Sequence, residues 1–250
     1  MCSVILFGAR IGICLLVLTL SLSCVLRKEQ RYSDFTTHTP LKAGDCLVIG
    51  FLGGREPWNN EKRNVRRLAL KLRSMQLSGV HVETVENRKR HLAVKLIKGA
   101  LDRNSDGSLD AQEKASARLI IYGQSFGGAA VVKLARDLKS LDIPVALTVQ
   151  IDSVGRNDAV IPSNVAAAAN LYQSNGWVIK GESEIHSEDR HETRIIGNFK
   201  YDYSRKKIDL SQVSWLKKLF RAAHTKMDFD PEVWSRVEQL ILAEIRRRDE

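Results

Sequence analysis

The sequence predicts an α/β fold: a mostly parallel open sheet with helices on both faces, in a single domain that follows an N-terminal hydrophobic leader. Three observations predict it. The chain has 250 residues, 44% of them hydrophobic, enough to bury one sizeable core. Short apolar runs recur at Cys46–Phe51, Val80–Val85, Leu119–Tyr122 and Val145–Ile151. Stretches with helical apolar spacing separate these runs, and such alternation implies parallel strands joined by crossover helices.

Taken in order, residues 1–26 form the leader. Ile11–Leu26 is an apolar run with Arg10 before it and Arg27, Lys28 and Arg31 after it. It is short for a spanning helix, which needs about 20 residues. It suits a signal-peptide core, with Ser21-Leu22-Ser23 as a cleavage region. The basic residues beyond it suit a retained anchor instead, and Cys24 offers a lipidated cysteine. All three readings make the protein exported or membrane-anchored. Cys2, Cys14 and Cys24 lie in this segment, leaving only Cys46 in the domain and no pair for a disulfide there.

Residues 27–44 are polar and read as a linker, and residues 45–250 as the domain. Cys46–Phe51 is a strand, Asn60–Met75 an amphipathic helix, Val80–Val85 a strand and Arg88–Leu101 a helix. Leu119–Tyr122 is a strand and Ala129–Lys139 a helix. Val145–Ile151, after Pro144, is a continuously apolar strand. Pro162–Leu171, beginning Pro-Ser-Asn, reads as a helix. Residues 176–204 are extended and polar, with Thr193–Ile196 the best strand. Pro231–Arg247 is a closing helix, capped by Asp230.

The net charge is +10, of which the leader contributes only Arg10. Lys and Arg are spread along the helices among Asp and Glu. No basic run interleaves with aromatics, so a solvated basic surface is expected rather than a nucleic-acid site.

Residues 123–127 read Gly-Gln-Ser-Phe-Gly, between the strand Leu119–Tyr122 and a helix. In that setting Gly123 and Gly127 flank a sharp turn with no room for side chains, and the Ser125 hydroxyl stands above the sheet as a nucleophile. A nucleophilic serine needs a base, a group orienting that base and donors for an oxyanion. Asp152 ends the strand Val145–Ile151 and is the candidate acid, with Asp158 in reserve. His224 follows both and precedes the closing helix; it is the candidate base, expected on a loop. His186 and His191 lie in a charged stretch. Gly50-Phe51-Leu52-Gly53-Gly54 follows the first core strand. The N–H of Phe51 or Leu52 and that of Phe126 are the expected oxyanion donors.

Together these segments resemble the α/β-hydrolase superfamily. The resemblance rests on GFLGG (50–54), GQSFGG (123–128), the strand-end Asp152, and His224 ahead of MDFDPEVW (227–234). It implies an α/β-hydrolase-like open sheet, a Ser-His-Asp triad and acyl transfer through an acyl-enzyme. The sequence departs from the common pattern in three places. Gln124 stands where His is commoner, the oxyanion loop is not of the HGGG type, and the acid falls one strand early, as in some lipases. Residues 174–204 are long enough for a small lid.

Residues 102–113 (DRNSDGSLDAQE) fit the twelve-residue EF-hand loop. Asp102, Asn104, Asp106, Ser108, Asp110 and Glu113 supply its oxygens, Gly107 its sharp turn, and oxygen donors in this number suit Ca²⁺. The function expected is that of a serine hydrolase acting on small-molecule or lipid carboxylic esters or thioesters, with a structural calcium site. A non-catalytic calcium-binding module on the same scaffold is the alternative, and a basic surface-binding protein a third.

Overall fold

A computed structural model of the chain describes residues 29–176, 180–211 and 222–247. The leader, and the cleavage, anchor and lipidation expectations attached to it, lie outside the described residues. No helix among the described residues is long and apolar enough to cross a membrane.

The order of elements is β1 (Cys46–Leu52), α1 (Asn64–Ser74), β2 (Val80–Glu86), α2 (Arg90–Leu101), α3 (Ala111–Ala115), β3 (Leu119–Gln124), α4 (Phe126–Lys139), β4 (Val145–Ile151), β5 (Val160–Ile161), β6 (Val165–Gln173), β7 (His186–Ser187), β8 (Arg194–Tyr201), α5 (Ala222–Phe229) and α6 (Pro231–Arg246). Six strands form one sheet in the order β2-β1-β3-β4-β6-β8, all neighbours parallel. The fold is α/β, a parallel open sheet flanked by helices, as expected. β5 and β7 make a separate two-stranded ribbon.

Alternation along β1 sets the two layers. Leu47, Ile49 and Phe51 face a core built with Ala93, Leu96 and Ile97 of α2 and Val131, Leu134 and Leu138 of α4. Cys46 and Val48 face the opposite core, with Val65, Leu68 and Leu72 of α1 and Val233, Val237 and Ile241 of α6. Helices therefore cover both faces, as the apolar strands require. Cys46 is buried and forms no disulfide among the described residues.

Strand order reverses at β1. β2 lies to one side of it and β3 to the other, so the loops leaving β1 and β3 part at a switch point at the carboxyl edge of the sheet. Ligand sites on such sheets form there.

Three expectations are corrected. Pro162–Leu171 is not a helix: Val165–Gln173 is a strand, paired to β4 and β8. Its Val-Ala-Ala-Ala-Ala run favours helix intrinsically, but burial in the sheet overrides that preference. Asn164, which looked like part of a helix start, donates instead to the carbonyls of Ala135 and Ile143 at 3.0 and 2.9 Å. Residues 174–204 are not simply a lid, because Arg194–Tyr201 is the sixth strand of the sheet. Residues 29–44, expected as a linker, lie against the domain. Leu41 is buried in the core, and the Glu83 carboxylate accepts from the backbone and hydroxyls of Thr36 and Thr37.

Candidate active site

Ser125 sits between β3 and α4 with φ 60° and ψ −125°. A non-glycine residue holds such a conformation only where its surroundings enforce it, and the enforcement is visible. The Ser125 N–H donates to the Ile151 carbonyl at 2.9 Å, and its own carbonyl accepts from Val154 at 3.1 Å. A Cβ on Gly123 would lie 2.4 Å from the Gly127 carbonyl oxygen, and one on Gly127 would lie 2.1 Å from that of Phe51. The two glycines are thus required by close packing of backbone on backbone. The turn presents Ser125 Oγ to a small cleft at the switch point.

Three residues, expected together from chain order, meet there. His224 Nε2 lies 3.0 Å from Ser125 Oγ, and His224 Nδ1 lies 2.6 Å from Asp152 Oδ2. All three are buried, Asp152 completely. The reserve acid, Asp158, is placed elsewhere: its carboxylate accepts from the Ser153 hydroxyl. His224 belongs to helix α5, not to a loop. Since Nδ1 faces a carboxylate, it carries the proton and donates, leaving the Nε2 lone pair toward Ser125. The Gln124 amide also approaches Nε2, at 3.4 Å.

Asp152 is oriented by two further donors. Gln173 Nε2 donates to Oδ2 at 3.2 Å, and the Gly181 N–H to Oδ1 at 3.0 Å. A Cβ on Gly181 would come within 2.2 Å of that same oxygen. Neither residue was singled out from sequence. Gln173 ends the strand misread as a helix, and Gly181 follows it across a stretch with no motif.

Helix α5, which carries His224, has its own anchor, also absent from the sequence reading. Arg63 Nη1 donates to Asp228 Oδ2 at 2.9 Å, and its other nitrogen bonds Glu56. The Asn64 amide and the Trp234 indole both donate to the Asp228 carbonyl. Burial pushes the Asp228 carboxyl above its ordinary value, while Arg63 pulls it back down.

Leu52, Gly53 and Gly54 line the cleft opposite Ser125 and Phe126. Of the expected donors, Leu52 and Phe126 therefore border it. Phe51 lies behind, with its carbonyl against Gly127. The Phe126 N–H is the first of helix α4, where the helix dipole favours negative charge.

The loop 102–113 forms the expected turn, with Gly107 at φ 84°. Its carboxylates, however, are occupied by the loop's own N–H groups. Asp102 accepts from Asp106 and Gly107, Asp106 from Ser108, and Asp110 from Glu113. Buried Glu113 accepts from Arg103, Asn104 and Asp110. Among the described residues no three His, Cys, Asp or Glu side chains converge as a metal site. The structure gives the EF-hand expectation no support.

No family model matches the chain, and no curated protein matches it. Among solved structures, it is similar to a novel cutinase-like protein from Cryptococcus sp. The two are 14% identical, with 83% of this chain and 98% of that chain covered and a TM-score of 0.46. It is also similar to an uncharacterized protein from Pseudomonas aeruginosa, at 13% identity, 65% of this chain, 41% of that chain and a TM-score of 0.40.

Proposed function

We propose that the protein is a serine hydrolase of carboxylic esters or thioesters. The observation that supports this most directly is the hydrogen-bonded series Asp152–His224–Ser125, with Ser125 on a strained strand-to-helix turn. In this reading His224 Nε2 takes the Ser125 hydroxyl proton as Oγ attacks the substrate carbonyl. Asp152 holds the ring and stabilises the imidazolium. The N–H groups of Phe126 and Leu52 receive the negative charge that develops on the carbonyl oxygen. His224 then returns its proton to the departing alcohol or thiol, leaving an acyl group on Ser125. A water molecule repeats the sequence, giving its proton to His224 as it attacks the acyl group and releases the acid.

The test is capture by a fluorophosphonate of the protein from residue 27 onward, beside the Ser125→Ala variant. Labelling that the variant loses is the expected result. An unlabelled protein would transfer the assignment to a non-catalytic module. Two further proposals rest on sequence alone: export or membrane attachment through the segment before residue 27, and calcium binding at residues 102–113.

A further inference from the structure

A larger groove of about 580 Å³ borders the cleft at Ser125, and Phe126 and Val154 line both. Phe126 is 53% exposed, and among the described residues no other large apolar side chain is exposed. Around it the groove carries Arg88, Arg90, Lys133 and Arg156, and no Asp or Glu among its lining residues. Arg90 is bonded to Asp137, and Arg88 lies 3.8 Å from Glu86. Lys133 and Arg156 are exposed and have no carboxylate partner among the described residues. Several basic residues elsewhere are paired with acids, as in Lys71–Glu238, Arg73–Glu83 and Lys139–Glu188. The groove beside Ser125 thus holds two exposed cations, Lys133 and Arg156, with no carboxylate among its lining residues.

We propose that the substrate of the Ser125 site is an ester bearing an anionic group, a carboxylate or phosphate, which this groove holds. The inference rests on the hydrolase reading and narrows its substrate class. Phe126 offers an apolar surface for the carbon chain next to the scissile carbonyl. Lys133, Arg156 and Arg88 supply the field and donors for the anion, and guanidinium groups suit planar oxyanions.

The test compares kcat/KM for matched ester pairs at low ionic strength. Para-nitrophenyl glutarate is set against para-nitrophenyl pentanoate, placing the charge on the acyl side. Meta-carboxyphenyl butyrate is set against phenyl butyrate, placing it on the leaving group. In at least one pair the anionic ester is favoured by roughly tenfold, since each exposed ion pair is worth up to about 1 kcal/mol. That ratio falls toward one in high salt, and falls likewise in the double variant Lys133→Glu, Arg156→Glu. The salt arm uses the unaltered protein, so it decides the matter even where the variant folds poorly. Hydrolysis without selectivity in either pair, or a selectivity indifferent to salt, overturns the groove assignment and leaves the hydrolase reading standing. No hydrolysis of any of the four esters, with no fluorophosphonate capture, overturns both.

Discussion

Arg63 is bonded to Asp228, one helical turn beyond His224 on the same helix. Asp228 is nearly inaccessible, and the Arg63 side chain is only 18% exposed. A contact 165 residues apart in sequence therefore fixes the helix that carries His224. Glu56 braces the far side of the guanidinium, so Arg63 is held from both ends.

Replacing Arg63 by Met should destabilise the protein by about 2–4 kcal/mol at neutral pH, because it leaves a buried carboxylate without its partner. Burial already lifts the Asp228 carboxyl above 3.8, and losing Arg63 lifts it further. A carboxyl whose folded value exceeds its unfolded one stabilises the fold only while protonated. Stability in the variant should thus fall as pH rises from about 4 through the raised folded value. Urea midpoints across pH measure this. A second substitution, Asp228→Asn, should recover part of the loss at neutral pH.

Asp152→Asn should lower kcat for ester hydrolysis by about 10⁴-fold, by presenting His224 with an amide in place of its carboxylate acceptor. Asp158→Asn should cost about 1 kcal/mol of stability through its bond to Ser153, and less than roughly tenfold in kcat/KM. Steady-state kinetics on one activated ester separates the two carboxyls. Equal losses would contradict the placement of Asp152 on His224.

Gly127→Ala should cost about 1–3 kcal/mol, since its Cβ would collide with a backbone oxygen that no rotamer change can move. Gly54→Ala is the control. Its φ of 53° strains a side chain, but nothing lies within 4 Å, so the cost should be near 1 kcal/mol. Fluorophosphonate labelling should slow more in the first variant, whose collision pushes on the turn that bears Ser125.

Calcium at residues 102–113 is testable by melting temperature. If the loop binds the ion, Ca²⁺ at a hundred times its Kd adds about 2.7 kcal/mol. The gain should vanish in chelator and in Glu113→Gln. Melting that is identical in calcium and in chelator would leave Glu113 as a purely structural acceptor for the N–H groups of Arg103, Asn104 and Asp110.

The central strands were legible to within a residue or two, because β1, β3 and β4 are short apolar runs bounded by turn residues. The turn at Ser125 was equally legible, since its glycines answer a local steric demand. β6 was not: a buried strand made of alanine carries no period that distinguishes it from a helix. Chain order brought out Asp152 and His224 but not what holds them. Gln173, Gly181, Arg63 and Asn64 reach the site only through the packing of distant segments, and no local pattern marks them.

One contact near the start of the described chain bears on how the protein should be handled. β2 is the outermost strand on its side of the sheet, and Gln30 bonds it with both ends of its side-chain amide. It donates to the Thr84 carbonyl at 2.9 Å and accepts from the Glu86 N–H at 3.0 Å. One glutamine thus imitates the next strand's backbone and blunts an edge that could otherwise pair with another molecule. A truncation starting after residue 37 would remove that imitation together with Thr36 and Thr37. It would leave the Thr84 carbonyl and the Glu86 N–H of β2 open to another molecule, so such a fragment would report on aggregation before it reported on chemistry.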